Sequence, residues 1–300
     1  MTGLTQQRIA LTTGVELDVW TAGDCANPPI IFLHGFPESH RTWRHQMAGL
    51  ADRYFCIAPD QRGYARSSKP EALVEYRVPK LVGDVLALAD HFGCARFTLA
   101  AHDWGGSIGW ATAIKHGDRV AQLMICNAAH PYVFQRTLIE DIPQRAASQY
   151  IRVFRDDSLD HQIAANGLDW FYADRFDNHL TAGNMTAEDR AAYLDEWSQP
   201  GAITGMLNWY RASPMQVPAM DSTERSAFLD QPFPRIMMPV LVIWGMDDAA
   251  LLPCQLDGLE DHVDDLTVVR VERAGHFVPW ERPEAVTTAM RDWLAGQHVA

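Results

Sequence analysis

The strongest constraint on the fold is a short segment in which an apolar strand turns abruptly into a helix. The segment reads Phe97-Thr-Leu-Ala-Ala-His-Asp-Trp-Gly-Gly-Ser107. It predicts a strand over Thr98–His102, a tight turn centred on Asp103 and a helix over Ser107–His116. The alanine and glycines beside Asp103 are needed because larger side chains would not fit in such a turn. We therefore expect Asp103 to sit at its apex in a strained backbone conformation.

Strand-like and helix-like patterns alternate along most of the chain, which predicts a mostly parallel sheet with helices on both faces. The interior strand patterns are almost continuously apolar, as expected for strands buried on both sides. The predicted strands are Ile9–Thr12, Glu16–Thr21, Ile30–His34, Phe55–Pro59, Thr98–His102, Ala121–Asn127, Val240–Trp244 and Thr267–Val271. Further helices are predicted over Pro79–Phe92 and Trp280–Leu294.

The alternation stops between about Pro131 and Arg235, where helical periodicity continues without a convincing strand. A capping-box pattern at Thr186–Asp189 predicts a helix running to Trp197, and a second helix is predicted over Ala202–Arg211. The predicted organisation is a core in two parts, 1–130 and 237–300, with an inserted helical cap at 131–236. Such a cap is expected over the carboxyl edge of the sheet, where open α/β sheets bind ligands.

Composition excludes several classes of function. A net charge of −13 argues against nucleic-acid binding, and no apolar run is long enough to cross a membrane. The five cysteines are widely spaced and the N-terminus lacks a secretory pattern, so we expect a cytoplasmic enzyme, monomeric or homodimeric, with reduced thiols. The twelve histidines form no HExxH pattern, and Gly105-Gly-x-x-Gly109 has the wrong spacing for a dinucleotide. Neither a metal nor a cofactor is expected.

Three further motifs accompany Asp103. Phe36 stands in His34-Gly-Phe-Pro37 after a predicted strand. Asp248 ends Gly245-x-x-Asp after another, with Asp247 expected to point elsewhere, and His276 follows the last strand in Ala274-Gly-His. The order of acidic nucleophile, second acid and histidine is that of the α/β-hydrolase fold.

These motifs, together with His102-Asp-Trp-Gly-Gly106, resemble the α/β-hydrolase-fold epoxide hydrolases, with the haloalkane dehalogenases as nearest neighbours. The resemblance covers essentially the whole chain and is weakest in the cap. It implies an α/β-hydrolase fold, with an eight-stranded sheet and an inserted helical cap. It also implies that Asp103 is the nucleophile, that Asp248 orients His276, and that the Phe36 and Trp104 amides form an oxyanion hole.

A carboxylate nucleophile restricts the chemistry. Serine attacking a saturated carbon would leave an ether, which water and a general base cannot cleave. A carboxylate leaves an ester, which activated water can hydrolyse. Asp103 with His276 therefore indicates attack at a saturated carbon, as in a small apolar epoxide or an alkyl halide, with water as the second substrate.

The leaving group separates those two substrates. An opened epoxide leaves an alkoxide, which phenols can protonate, and Tyr150 and Tyr210 resemble the family's tyrosine pair. A halide needs N–H donors, and the Trp104 indole could supply one, whereas Phe36 stands where dehalogenases often have a side-chain donor. Epoxide hydrolysis is the expected function, with haloalkane dehalogenation as the alternative. A receptor-like protein that binds without turnover would not need Asp103, His276 and Asp248 together, so these residues argue against a non-enzymatic role.

Overall fold

The protein is built on one eight-stranded sheet in the order β1-β2-β4-β3-β5-β6-β7-β8. The structure is a computed structural model that describes residues 3–223 and 226–297. The strands are β1 (Thr5–Ala10), β2 (Glu16–Ala22), β3 (Pro29–Leu33), β4 (Phe55–Pro59), β5 (Phe97–His102), β6 (Val120–Cys126), β7 (Val240–Gly245) and β8 (Leu266–Val271). From β4 to β8 in this order every neighbouring pair is parallel, and β2 alone is antiparallel to both of its neighbours, β1 and β4. The predicted fold class is therefore confirmed.

Most strand predictions agree with the structure to within one residue at either end. The exception is β1, which was expected over Ile9–Thr12 but lies at Thr5–Ala10. Its residues are mostly exposed, because it is an edge strand with only Ile9 buried, so its apolar pattern is too weak to locate it. Leu11 instead donates a 2.8 Å hydrogen bond to the Val15 carbonyl in the turn that leads to β2.

Helices cover both faces of the sheet, and two of them differ from expectation. The core helices are α1 (Arg44–Leu50), α2 (Val78–His91), α3 (Asp103–Lys115), α10 (Val278–Glu281) and α11 (Pro283–Gln297). The helix that follows β5 begins at Asp103 itself, not at Ser107 as expected. The single closing helix expected over Trp280–Leu294 is broken at Arg282, which has φ −134° and ψ 59°. Pro283 causes the break, because proline disfavours helical geometry in the residue before it.

Six helices occupy most of the predicted cap: α4 (Pro131–Glu140), α5 (Ile142–Ala147), α6 (Tyr150–Arg155), α7 (Ser158–Thr181), α8 (Ala187–Trp197) and α9 (Ala202–Ala212). The predicted capping box at the start of α8 is present, with Thr186 and Asp189 bonding each other's backbone N–H. Gly167, at φ 86°, divides α7 into two helices. The division into core and cap stays a prediction, and its residues 1, 2, 224, 225 and 298–300 lie outside the described part of the chain.

Direct backbone contact joins α9 to the core. A Cβ atom on Gly63 would lie 2.8 Å from the Gly205 carbonyl oxygen, and one on Gly205 would lie 2.6 Å from that of Gly63. Only glycine at both positions permits this approach. The Trp209 indole N–H donates a 2.9 Å hydrogen bond to the Arg62 carbonyl, so side-chain contacts reinforce the backbone contact. Within the described residues, no helix combines the length and apolar character needed to cross a membrane.

A buried ion pair holds the loop after β4. Arg62 bonds Asp84 of α2 through two contacts of 2.7 Å, and its third nitrogen donates to Glu75 at 3.1 Å. The Arg62 side chain is fully buried and that of Asp84 is 8% exposed. These contacts tie the loop after β4 to α2.

Replacing Arg62 with Met would leave the Asp84 carboxylate buried without its partner. We expect the free energy of unfolding, measured by chemical denaturation, to fall by about 3–5 kcal/mol. The double variant Arg62→Met/Asp84→Leu should recover most of that loss. The matched control is Arg291→Met, which removes an exposed ion pair with Asp52 and should cost less than about 1 kcal/mol. Equal losses for Arg62→Met and Arg291→Met would contradict a dominant role for burial.

Candidate active site

Asp103 occupies a tight turn between β5 and α3. Its φ is +49°, a left-handed conformation that side chains other than glycine rarely adopt. The turn is closely surrounded: a Cβ atom on Gly35 would collide with the Asp103 side chain, one on Gly105 with the backbone of the β3 end, and one on Gly106 with Ala128. The positive φ and the small neighbours agree with the sequence-based expectation of a tight, strained turn at Asp103.

The Asp103 carboxylate faces two groups from distant parts of the chain. The Phe36 backbone N–H donates a 2.7 Å hydrogen bond to Oδ1, and His276 Nε2 lies 3.4 Å from Oδ2. Burial raises the pKa of Asp103, but His276, His102 and the Phe36 N–H outweigh it and hold that pKa below its ordinary value. Asp103 is therefore an ionised carboxylate with one oxygen held by a backbone amide.

His276 and Asp248 complete the predicted set. His276 Nδ1 lies 2.7 Å from Asp248 Oδ2, while Asp248 Oδ1 accepts the N–H groups of Ala250 at 2.8 Å and Leu251 at 2.9 Å. Burial lowers the pKa of His276, but Asp248 and Asp103 more than offset this and raise it well above its ordinary value. As expected, Asp248 is the residue that contacts His276, and Asp247 is exposed.

Sequence analysis did not anticipate the part that Asn127 plays. It follows β6 at φ +36°, and its Nδ2 donates to Asp248 Oδ2 at 2.8 Å. Its Oδ1 accepts the Gly245 N–H at 2.7 Å, so one amide fixes both the end of β7 and the acid that follows it. The only feature of the sequence that could have indicated this role is an amide residue, Asn127, directly after a buried strand.

The two predicted tyrosines lie on helices between β6 and β7, and both line the cavity at Asp103. Tyr150 begins α6 and Tyr210 lies in α9, with their ring centroids 6.3 Å apart. Both line, with Asp103 and His276, an open cavity of about 440 Å³. Burial, followed by neighbouring charges that include Asp103, raises the pKa of each phenol. Both phenols therefore stay protonated and can act as hydrogen-bond donors.

Trp104 contributes both its indole ring and its backbone N–H to the surroundings of Asp103 and Tyr210. Its N–H belongs to the first turn of α3, where backbone donors have no partner inside the helix. The Trp104 ring lies 4.9 Å from that of Tyr210 at 88°, and its indole N–H interacts with the Tyr210 hydroxyl. The role of the Trp104 amide in an oxyanion hole stays a prediction.

A second, narrow chamber of about 30 Å³ adjoins the cavity on the side of Trp104, Phe134 and Met215. Asp103 and both tyrosines line it as well, so the carboxylate lies between a wide space and a small apolar one. In the described part of the chain, no three His, Cys, Asp or Glu side chains gather as metal ligands would.

Comparison with known proteins gives consistent results. The family model described as the α/β-hydrolase fold matches residues 28–283. Epoxide hydrolase A of Mycobacterium tuberculosis is 31% identical over 98% of this chain and 98% of its own. The AB hydrolase superfamily protein YfhM of Bacillus subtilis is 32% identical over 95% of this chain and 96% of its own.

A solved structure described as one of several novel epoxide hydrolases from metagenomes of hot environments is 46% identical. It covers 99% of this chain and all of its own, with a TM-score of 0.88. The similarity thus extends over the sheet and the helices between β6 and β7. The chain belongs to the epoxide hydrolases of the α/β-hydrolase fold, which are hydrolases acting on ether bonds.

Proposed function

We propose that the protein converts an epoxide into a vicinal diol through a covalent ester on Asp103. One observation carries the proposal: an ionised carboxylate, a histidine–aspartate pair and two protonated phenols meet in one cavity. A carboxylate suits attack at saturated carbon, and the phenols suit protonation of the alkoxide that leaves. The substrate we propose is a small aryl or alkyl epoxide.

In the first step, Asp103 Oδ2 attacks an epoxide carbon while Oδ1 stays bonded to the Phe36 N–H. The new bond joins Oδ2 to carbon, the ring C–O bond breaks, and its electron pair moves to the epoxide oxygen. Tyr150 and Tyr210 lie on the cap side of the cavity, where they bind that oxygen and supply its proton. The product of this step is a hydroxyalkyl ester of Asp103.

In the second step, His276 takes a proton from water, and the hydroxide attacks the carbonyl carbon of the ester. The Phe36 and Trp104 N–H groups receive the negative charge that forms on Oδ1. Breaking of the ester's acyl C–O bond expels an alkoxide, which takes the second proton of the attacking water, so the diol leaves and Asp103 is a carboxylate again. The proton taken from water returns the phenol to its starting state, so the sum is epoxide plus water to diol.

The pKa of His276 supports this order of events. It is raised in the free enzyme, after the opposing effect of burial, by the charges on Asp248 and Asp103. Esterification neutralises Asp103 and removes one of those charges. The pKa of His276 therefore falls once the ester has formed, so the ring is neutral more of the time and available to take a proton from water when a base is needed.

Haloalkane dehalogenation is the alternative that the nucleophile alone permits. It needs side-chain N–H donors that bind a halide, and the Trp104 indole could supply one, but Phe36 offers no second side-chain donor. The same cavity presents two phenols, which suit an alkoxide. These contacts favour the epoxide.

We further propose a cytoplasmic location, which the five free thiols support, and a monomer or homodimer.

A single turnover with excess enzyme and styrene oxide in ¹⁸O-water tests the covalent step. The first diol should be unlabelled in its new hydroxyl, and the peptide containing Asp103 should gain about one ¹⁸O by mass spectrometry. Asp103→Ala should abolish turnover, whereas Asp247→Ala removes an exposed carboxylate of the same cavity and should stay active. Label in the first diol and none on Asp103 would exclude the ester. Bromide release from a bromoalkane with no diol from any epoxide would favour the alternative.

Tyr210→Phe should slow ester formation by roughly 10²-fold, because the opened epoxide then loses one of its two donors. Tyr150→Phe should slow the same step, and the double variant should be slower than either. Rapid-quench measurement of the esterified enzyme separates this step from hydrolysis. Tyr132→Phe is the control, because Tyr132 lies in an aromatic cluster with Phe228 and Phe233, away from the cavity. An unchanged esterification rate in the double variant would refute the proton-donor role.

A further inference from the structure

A permanent positive charge lines the cavity that holds Asp103 and the two phenols. Arg175 lies in α7 beyond the break at Gly167, and among the described residues it is the only arginine or lysine of the cavity wall. His179, one helical turn further on, lines the cavity too, but burial outweighs the nearby carboxylates and lowers its pKa below the ordinary value. A guanidinium stays protonated in proteins, so Arg175 is the fixed cation of this wall.

The guanidinium and the two phenols pack around one aromatic ring, that of Phe154. Arg175 Cζ lies 5.2 Å from the centre of the Phe154 ring. The ring centroids of Tyr150 and Tyr210 lie 5.2 Å and 5.0 Å from the centroid of the same ring. Phe154 is buried, so an apolar side chain and not water occupies the space around which these groups pack. A charge acts more strongly through such a medium than through water.

The partners of Arg175 only partly offset its charge. Asp174 accepts a hydrogen bond from Nη2, but the Asp174 side chain is 39% exposed, so water screens that carboxylate. Among the described residues, Nε of Arg175 has no hydrogen-bond partner, although it is shielded from solvent. A buried N–H without a partner costs stability, so hydrogen bonding does not account for a guanidinium at this place. Its contact with Phe154 and its charge are what it contributes to the cavity.

The charge of Arg175 acts on the two phenols unequally. Burial raises the pKa of Tyr150 and nearby carboxylates raise it further, whereas Arg175 opposes that rise. Burial also raises the pKa of Tyr210, and the main neighbouring charges, that of Asp103 among them, add to the rise. Arg175 therefore favours Tyr150 over Tyr210 as the phenol that takes on negative charge.

We propose that Arg175 is a positioning residue of the ring-opening step, whose charge stabilises Tyr150 as it gives its proton to the epoxide oxygen. The proposal rests on the proposed function, because it concerns the first step of that reaction. As the ring C–O bond breaks, its electron pair moves to the epoxide oxygen, and the proton of Tyr150 Oη joins that oxygen. The negative charge of Asp103 thereby passes to Tyr150, beside the ring on which Arg175 packs. Tyr210 donates a hydrogen bond to the same oxygen and keeps its proton.

A second arginine between β6 and β7 offers a matched control. Arg190 Cζ lies 5.3 Å from the centre of the Tyr172 ring, and Arg190 pairs with Asp169 as Arg175 pairs with Asp174. Arg190 is not among the residues that line the cavity. Methionine at either position keeps an unbranched apolar chain against the aromatic ring and removes the charge. The two substitutions therefore differ in whether the lost charge faces the phenols.

Rapid-quench measurement of ester formation with styrene oxide tests the charge. Arg175→Met should slow the step about fivefold at saturating epoxide and leave the half-saturating concentration unchanged, because the epoxide is neutral. Arg175→Lys, which keeps the charge, should retain most of the rate, and Arg190→Met should retain all of it. Asp174→Asn removes the opposing charge and should raise the rate by up to about twofold. Equal slowing in Arg190→Met, or slowing in Asp174→Asn as large as in Arg175→Met, would overturn the proposal.

Double variants test whether Arg175 acts through Tyr150. Added to Tyr210→Phe, Arg175→Met should again slow ester formation about fivefold, because Tyr150 is still the proton donor. Added to Tyr150→Phe, it should slow the step by less than about twofold, because the phenol it assists is gone. Equal effects in the two backgrounds, or a full rate in Arg175→Met, would overturn the proposal and leave the proposed function standing. Absence of both ester and diol in the wild-type enzyme would instead refute the proposed function.

Discussion

The close approach of backbone segments around Asp103 is the constraint on which the rest of the site depends. Gly35, Gly105 and Gly106 leave no room for a side chain, so the loop after β3 and the start of α3 lie almost in contact. That closeness brings the Phe36 N–H within 2.7 Å of the Asp103 carboxylate. It also forces a positive φ on Asp103, a conformation that costs roughly 1–3 kcal/mol. The buried sheet on either side supplies the rigidity that maintains it.

Charged groups of opposite sign alternate around Asp103. Asp248, His276 and Asp103 form a buried series in which each charged group contacts one of opposite sign or a hydrogen-bond donor. Burial alone would neutralise these groups, and their mutual contacts are what keep them ionised. A site of this kind is sensitive to the loss of any one member, because the remaining charge stays buried and unpaired.

The sequence was sufficient for the sheet, because strands such as β4 and β7 are continuously apolar and bounded by polar turns. It was insufficient for β1, whose exposed residues carry no such pattern, and for the closing helix, which Pro283 interrupts. Asp103, His276 and Asp248 could be selected because each ends or follows a strand in a short motif. The contact of Asn127 with Asp248 could not, since it joins residues 121 positions apart, whose proximity depends on the order of strands in the sheet.

The paired glycines at 63 and 205 have a consequence for how such a site can diversify. They seat α9 directly on the core backbone, five residues before Tyr210. Tyr210 is therefore placed by main-chain contact with the loop after β4, although it lies among the helices between β6 and β7. Tyr150 and the broken helix α7 lack that attachment, so changes of length or shape there leave Tyr210 in place. The region between β6 and β7 thus combines a helix anchored on the core backbone, which carries Tyr210, with helices whose changes can alter the dimensions of the cavity.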